Sequence, residues 1–274
     1  NRTDKECAIV LCDETLLQPT LHSIPDSMVN AINVTMGYAM TETTLFNLIS
    51  LLLDMQRTLL HNQEKCSIEE CTHILSNPFV KQLSINTDKL ILDLTKYKQR
   101  LVSLEILHID NILNSIFRST NSNSELTKYL LDILTLLSPV IANQDNKDLF
   151  KPLNQEALYR IYTTINRMHS LIEAGLLEIK QETLCRLLRN IIGHITIPFH
   201  GEPIIGMQIM GLIETRNLDF KHILLISANE GSLPKTASES SFIPYSVRNA
   251  FGLTTMKIKS AVSSYNFYHL MQRA

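Results

Sequence analysis

The 274-residue sequence contains no tryptophan, and aromatic residues make up only 6% of it. This scarcity argues against a platform of aromatic side chains that stacks single-stranded bases. Lys and Arg number 25 against 27 Asp and Glu, so the formal charge is −2. That balance excludes the broad positive field of a free-standing, high-affinity nucleic-acid binder. A local track for nucleic acid remains open.

Long apolar runs are also missing. Segments such as residues 51–53 are far shorter than the roughly 20 residues that a membrane-spanning helix needs, and no leader-like pattern opens the chain. We therefore expect a soluble protein with no membrane partner. The five cysteines are an odd number in a long chain, which favours a reducing cytoplasm over a disulfide framework. The patterns at both ends predict that the chain continues beyond the printed residues.

Several catalytic motifs are absent from the sequence. The chain has no Gly-x-x-x-x-Gly-Lys-Ser/Thr loop for a triphosphate, no His-Glu-x-x-His zinc motif and no Gly-x-Ser-x-Gly elbow. Its nine histidines are scattered singly. No self-contained catalytic constellation is visible, so we expect the chain alone to be no enzyme and to hold no cofactor.

Cys66 and Cys71, with His61 and His73 nearby, form the one metal-like group. Four residues separate the two cysteines, and structural zinc sites favour gaps of about two to four. Residues 67–70 also read Ser-Ile-Glu-Glu, a capping box that would start a helix and place Cys71 inside it. We therefore expect core cysteines and no metal.

Glycine is distributed unevenly along the chain. Of eight glycines, only Gly37 precedes residue 175. Turn-rich α/β structure is thus expected at the two ends, with a helical block between them. Apolar runs predict strands at residues 7–12, 32–38, 204–212 and 222–227. Helices are predicted at residues 16–22, 41–56, 244–250 and 257–274.

The middle of the chain is predicted to be a helix bundle. Apolar residues recur at steps of three and four along residues 102–116, 126–140 and 158–172, the spacing of helices that bury one face. The simplest account is an α/β domain interrupted by an all-α insertion. We place the first part of the domain at residues 1–50, the insertion at 51–194 and the second part at 195–274.

Polar segments follow two of the predicted strands. Residues 214–219 come after one strand, and residues 229–234 come after the next. Because ligands bind at the carboxyl ends of strands in a doubly wound sheet, these loops are candidates for one shared site. Two ordinary strand-to-helix turns remain the alternative.

The same segments resemble motifs V and VI of superfamily 1 helicases. In motif V a strand leads to a Thr-x-His-x-x-Lys-Gly-x-Glu-Phe loop, a second strand and a Glu-Gly-x-x-Pro turn. Residues 207–220, 222–227 and 229–234 follow this order. Residues 268–274 resemble motif VI, and residues 8–13 stand in the place of motif IV. The resemblance implies the second RecA-like domain of a UvrD/RecB-like helicase region, with a mostly parallel sheet and a helical insertion.

Closer similarity is to the AddB-type subunit of bacterial helicase–nucleases. It is carried by residues 32–38, Ile-Asn-Val-Thr-Met-Gly-Tyr, and by residues 241–253. Members of that group carry a helicase-like region followed by a PD-(D/E)xK exonuclease domain. The resemblance implies a role in DNA repair and recombination, with single-stranded DNA or broken duplex ends and a helicase–nuclease subunit as partners. ATP and Mg²⁺ would be cofactors of the whole protein.

The resemblance also implies site residues. Arg273 keeps the motif VI arginine, which in motors stabilises charge on the transferring phosphoryl group and would be catalytic in an active motor. Asp13 stands where active motors carry an arginine, which predicts a degenerate nucleotide site. The implied nucleotide-binding residues are Arg216, Asp219, Glu230 and Arg273, and the implied DNA-binding residues are Thr35, Thr215, Arg216 and Asn217.

Three functions are therefore open. The favoured one is a helicase-like domain that has lost turnover and guides DNA for a partner motor and a downstream nuclease. The second is one half of an active DNA-dependent ATPase, with Arg273 acting across an interdomain cleft. The third is a helical protein-interaction domain on an α/β base.

Overall fold

The computed structural model describes residues 6–25, 32–61, 65–96, 100–144, 150–198, 206–216, 218–233, 242–272 and 274. The strands are β1 Cys7–Leu11, β2 Ile32–Val34, β3 Gly37–Ala39, β4 Lys65–Ser67, β5 Leu101–Ser103, β6 Thr196–Pro198, β7 Met207–Gly211 and β8 His222–Ile226. The helices are α1 Leu17–Ser23, α2 Thr44–His61, α3 Ile68–Ser76, α4 Pro78–Leu83, α5 Thr87–Thr95, α6 Leu104–Leu107, α7 Asn111–Ile116, α8 Asn123–Ala142, α9 Lys151–Glu173, α10 Gln181–Gly193, α11 Tyr245–Ala250 and α12 Met256–Gln272.

The chain divides into two compact units. Unit 1 comprises Asn1–Tyr38 and Pro198–Ala274, and unit 2 comprises Ala39–Ile197. The boundary that the sequence suggested at residue 50 falls inside α2, which belongs as a whole to unit 2. The protein is thus a mixed α/β protein in which both ends of the chain build one unit.

Unit 1 contains a four-stranded parallel sheet in the order β2-β7-β1-β8. The central strand β1 pairs with β7 on one side, where Ala8 lies opposite Gln208, and with β8 on the other. Its continuous apolar run suits this place, because a central parallel strand is covered on both faces. Strand β8 is at the edge, and its Leu224 is 57% exposed.

One face of this sheet carries the core of unit 1. Ala8, Val10 and Met210 point from neighbouring strands onto the same side and pack with Phe220 and with Leu270 of α12. Alternation along each strand explains the set, because every second residue faces the same side. The core therefore joins the first strand of the chain to its last helix.

Unit 2 is helical, with its core along the predicted apolar stripes. Helices α8 and α9 follow residues 126–140 and 158–172, and their stripes supply buried residues to the interior. Helix α8 begins at a Ser122 cap, whose hydroxyl accepts the N–H of Glu125 at 3.1 Å. These two helix predictions are confirmed.

Two sequence predictions are wrong in detail. Residues 102–116 do not form one helix: they form β5, α6 and α7, and Ile106 and Ile109 are 38% and 48% exposed. Asp110 interrupts the stripe because its carboxylate accepts the N–H of Leu113 and begins a new helix. Residues 32–38 likewise do not form one strand, since β2 and β3 belong to different sheets.

The predicted capping box at residues 67–70 is correct in place and wrong in its bonds. Ser67 is the residue before α3, but among the described residues its side chain makes no capping hydrogen bond. The Glu70 carboxylate instead accepts a hydrogen bond from the Thr58 hydroxyl at 2.9 Å. The Glu70 side chain therefore connects α3 to α2. The capping-box pattern had predicted that it would bond to the backbone at the start of α3.

Candidate functional site

The carboxyl edge of the unit 1 sheet is the candidate site. Strands β1, β7 and β8 end level with one another, since Leu11 lies opposite both Gly211 and Ile226. The Cys12 N–H extends the ladder by donating to the Ile226 carbonyl at 3.1 Å. Polar residues follow each strand at this edge, where parallel sheets bind ligands.

Two carboxylates lie close to the end of β7. A Cβ atom added to Gly211 would collide with the Glu214 carboxylate and would lie 3.7 Å from Oε1 of Glu14. Gly211 is buried. Because it has no side chain, the Glu214 carboxylate can occupy the position where a Cβ atom would be. The two acidic side chains, one from each half of unit 1, therefore meet at one point of the edge.

Asp13 adds a third carboxylate beside β1. Its Oδ1 accepts the N–H of Thr15 at 3.1 Å and the Thr15 hydroxyl at 2.8 Å, so it caps the short 3-10 helix Glu14–Leu16. Burial raises the pKa of the neighbouring Cys12 thiol, which keeps this cysteine protonated at neutral pH. The edge is therefore acidic, and Cys12 is no ready nucleophile there.

Thr215 and Arg216 both lie in the turn after β7, but their side chains have different environments. Thr215 is 4% exposed, and its hydroxyl donates to the Leu212 carbonyl at 2.7 Å. Arg216 is exposed, and its N–H donates to the Ile213 carbonyl at 3.4 Å. In this structure the Thr215 side chain stabilises the turn, while Arg216 faces solvent. Asn217 lies outside the described residues.

Thr35 lies at the same edge, directly after β2. Its N–H donates to the Ile209 carbonyl at 3.1 Å, and the residue is exposed. Thr35 therefore borders the edge at the outer strand, two strands away from Asp13.

The structure places Asp219 and Glu230 at opposite ends of β8. Asp219 precedes the strand, near Lys221, whose N–H donates to the Glu6 carbonyl ahead of β1 at 3.0 Å. Glu230 follows the strand in an exposed turn. Because five strand residues span roughly 16 Å, these two predicted nucleotide-binding residues do not meet. Of the other two predicted members, Arg216 is exposed in the turn after β7, and Arg273 lies outside the described residues.

The turn that carries Glu230 begins at a strained residue. Ser227 has φ of 60°, the one positive value among the non-glycine residues that the structure describes. Such a conformation is unfavourable for a side chain with a Cβ. This strained backbone conformation lies directly after β8, where the chain turns into residues 228–233.

The metal-like cysteines lie in the core of unit 2. Cys66 and Cys71 are both fully buried, with their Sγ atoms 2.8 Å apart. The hydrogen bond with Cys66, followed by burial, raises the pKa of Cys71 strongly, so this thiol stays protonated. Among the residues described, no three His, Cys, Asp or Glu side chains come together as metal ligands.

Sequence reasoning missed a group of three arginines in unit 2. Arg57 comes from α2, and Arg186 and Arg189 come from α10. The two α10 arginines are three residues apart and thus share a helix face, a spacing that the sequence already shows. Arg57 is more than 120 residues away along the chain, so only the fold reveals the group. We call these three residues the arginine cluster.

The chain matches no protein-family model and no curated protein. In the ranges that the structure describes, no helix is long and apolar enough to cross a membrane.

Proposed function

We propose that the chain is a helicase-like domain, similar to the second RecA-like domain of an AddB-type subunit, that guides DNA for a partner motor and a downstream nuclease. The fold supports this proposal in one respect. Three of the segments that carry the resemblance, residues 8–13, 207–220 and 268–274, belong to unit 1, and the first two supply adjacent strands of its parallel sheet.

The acidic carboxyl edge is the observation that carries the proposal. A working nucleotide site in this place needs cations that face the phosphates. Here Asp13, Glu14 and Glu214 lie where β1 and β7 end, and Glu14 and Glu214 converge on Gly211. Carboxylates beside a triphosphate repel it unless a metal ion intervenes. The domain is therefore proposed to have kept the helicase fold and lost turnover.

DNA contact at this edge depends on a few side chains. Arg216 is exposed beside the turn after β7, and Thr35 is exposed after β2. With carboxylates close by, the contact is expected to be weak and strongly dependent on salt. Asn217 remains in the proposal through its place in the motif, whereas the Thr215 hydroxyl is engaged with the Leu212 carbonyl.

The test is binding of a fluorescently labelled single-stranded oligonucleotide, followed by anisotropy at several salt concentrations. Arg216→Ala is expected to weaken binding about 3- to 10-fold and to reduce the salt slope by about one, as loss of one phosphate contact does. Arg167→Ala is the matched control, because Arg167 is an exposed arginine on α9 in unit 2. Absence of DNA binding at low salt, or equal binding by both variants, would refute the DNA role.

The alternative function is one half of an active DNA-dependent ATPase, with Arg273 as the phosphate-sensing arginine. One observation favours it: α12, which ends at Gln272, packs through Leu270 on the core of the same sheet. ATP hydrolysis separates the two functions. We expect no turnover by the chain, with or without DNA, even when a first RecA-like domain is supplied. Turnover that Arg273→Ala abolishes would establish the alternative.

A further inference from the structure

A cavity in unit 2 lies between α2 and α10. Its volume is about 500 Å³, within the range of about 300 to 1,000 Å³ that small-molecule sites occupy. All three members of the arginine cluster line it, together with His194, Phe46 and Gly193. No carboxylate is among the described residues that line it.

The periodicity of α10 gathers the lining on one side. Arg186, Arg189, Asn190 and Gly193 follow one another at steps of three, one and three, so they share a helix face. The opposite face of the helix is apolar and buried, with Leu184, Leu188 and Ile192 in the core. Packing of the apolar face thus fixes where the polar face points.

Two carboxylates form ion pairs with the arginine cluster. Asp54 accepts from Arg57 at 3.2 Å and from Arg189 at 2.6 Å, and Glu182 accepts from Arg186 at 2.5 Å. Three guanidinium groups against two carboxylates leave one positive charge in excess. The cluster is therefore positioned by ion pairs without being neutralised by them.

Some N–H groups of the arginine cluster donate no hydrogen bond to the residues that the structure describes. Nη2 of Arg189 donates to the Ser50 carbonyl at 2.8 Å, but Nε of Arg189 and Nε of Arg57 are buried with no hydrogen-bond partner in the part of the chain that the structure describes. Guanidinium groups present several N–H donors in a planar fork that suits phosphate oxygens. The excess positive charge beside the cavity indicates an anionic ligand.

The other wall of the cavity is apolar and includes an aromatic ring. A Cβ atom added to Gly193 would lie 3.4 Å from Cζ of Phe46 and 3.4 Å from Cγ2 of Thr41. The absence of a side chain at Gly193 thus allows the backbone of α10 to approach the edge of the Phe46 ring, and the half-buried Phe46 lines the cavity. A planar heterocycle can pack on such a ring while an attached phosphate meets the arginines.

We propose that this cavity binds a nucleoside monophosphate group, with the phosphate at the arginine cluster and the base against Phe46. The same chemistry comes from two sources, a free nucleotide or the phosphorylated end of a DNA strand. The second source rests on the DNA-guiding function proposed above, and the first does not. The described residues that line the cavity all belong to unit 2, whereas Arg216 belongs to unit 1.

The test is isothermal titration calorimetry of the chain with deoxyadenosine 5′-monophosphate at low salt. Arg186→Gln is the informative variant because Arg186 is largely exposed and, among the described residues, bonds only to Glu182 on its own helix. We expect about tenfold weaker binding by this variant. Arg160→Gln is the matched control, since Arg160 pairs with Glu156 four residues earlier on α9 and does not line the cavity.

Further ligands and variants separate the parts of the proposal. Deoxyadenosine without phosphate should not bind, and Phe46→Leu should weaken the nucleotide without changing the binding of inorganic phosphate. Equal affinity for inorganic phosphate and the nucleotide would overturn the role of the base. No nucleotide binding at millimolar concentration, or equal binding by Arg186→Gln and Arg160→Gln, would overturn the site.

A competition experiment distinguishes the two sources. A 5′-phosphorylated oligonucleotide that displaces the nucleotide, where its 5′-hydroxyl counterpart does not, assigns the site to a strand end. Displacement by neither oligonucleotide assigns it to the free nucleotide. Arg216→Ala should leave nucleotide binding unchanged in both cases, so failure of the DNA proposal and failure of this one give different results.

Discussion

Gln56 provides a stringent test of how unit 2 is held together. The residue is on α2 and is fully buried. Its Nε2 donates to the Arg118 carbonyl at 2.7 Å, and its Oε1 accepts the N–H of Thr120 at 3.1 Å and the Thr120 hydroxyl at 2.8 Å. One side chain thus fixes the segment between α7 and α8.

The Gln56→Met variant keeps the length of the side chain and removes all three bonds. Each buried hydrogen bond contributes about 1 kcal/mol, and unpaired buried groups cost about 1–3 kcal/mol. The Thr120 hydroxyl still accepts from Nε2 of Gln181 at 2.9 Å, and the apolar methionine recovers about 1 kcal/mol through burial. We therefore expect the free energy of unfolding to fall by about 2–3 kcal/mol.

Urea unfolding followed by circular dichroism at 222 nm measures this loss, because the helices of unit 2 dominate the signal. Gln155→Met on the exposed side of α9 is the control, with an expected change within about 0.5 kcal/mol. If Gln56→Met lowers the free energy of unfolding by less than about 1 kcal/mol, with an unchanged urea slope, the hydrogen bonds of Gln56 do not determine the stability of unit 2.

Two further predictions concern single residues in the described ranges. Although desolvation by burial opposes it, hydrogen bonds from the Leu113 N–H, Ser84 and Asn86 hold the pKa of Asp110 below its usual value. A carboxylate with a depressed folded pKa contributes stability that is present above its unfolded pKa of about 3.9 and is lost as the pH falls through the lower folded pKa. Asp110→Asn should thus lower stability at pH 7 and flatten its decline in acid, and urea unfolding from pH 7 to pH 2 checks this; equal pH profiles would contradict it. Ser227→Gly should raise the unfolding free energy by up to about 1 kcal/mol, because glycine adopts φ of 60° without strain; thermal unfolding measures the change, and a lower melting temperature would show that the Ser227 side chain stabilises the turn.

The sequence predicts best where one local pattern decides the structure. The continuous apolar run of β1 and the stripes of α8 and α9 lead directly to a central strand and two packed helices. Residues 102–116 show that helical spacing of apolar residues does not always produce one helix. Their spacing fits a helix, but the Asp110 cap and the pairing of β5 with β4 divide them into three elements.

The candidate site was partly accessible to the same reasoning. Strand order places Thr35 after β2 and Asp13 after β1 at one edge of the sheet, as expected for parallel strands, whereas Arg216 is exposed in the turn after β7. The convergence of Glu14 and Glu214 was not predictable, because it depends on the close approach over Gly211. The arginine cluster was missed since its two helices meet only in the folded unit.

The order of strands in unit 1 has a consequence for how the protein acquires its structure. Strand β1 pairs on both sides with strands that are synthesised about 200 residues later, whereas unit 2 is one continuous stretch of chain. Within unit 2 the Met40 N–H donates to the Ile195 carbonyl at 3.0 Å, so its two ends are adjacent once it has folded. Folding of unit 2 first shortens the effective loop between β1 and β7 and lowers its closure cost by about 1.5 kcal/mol. The folded helical unit thus holds the two parts of the sheet-forming chain close to each other. We expect refolding kinetics with fast helix formation followed by slow sheet formation.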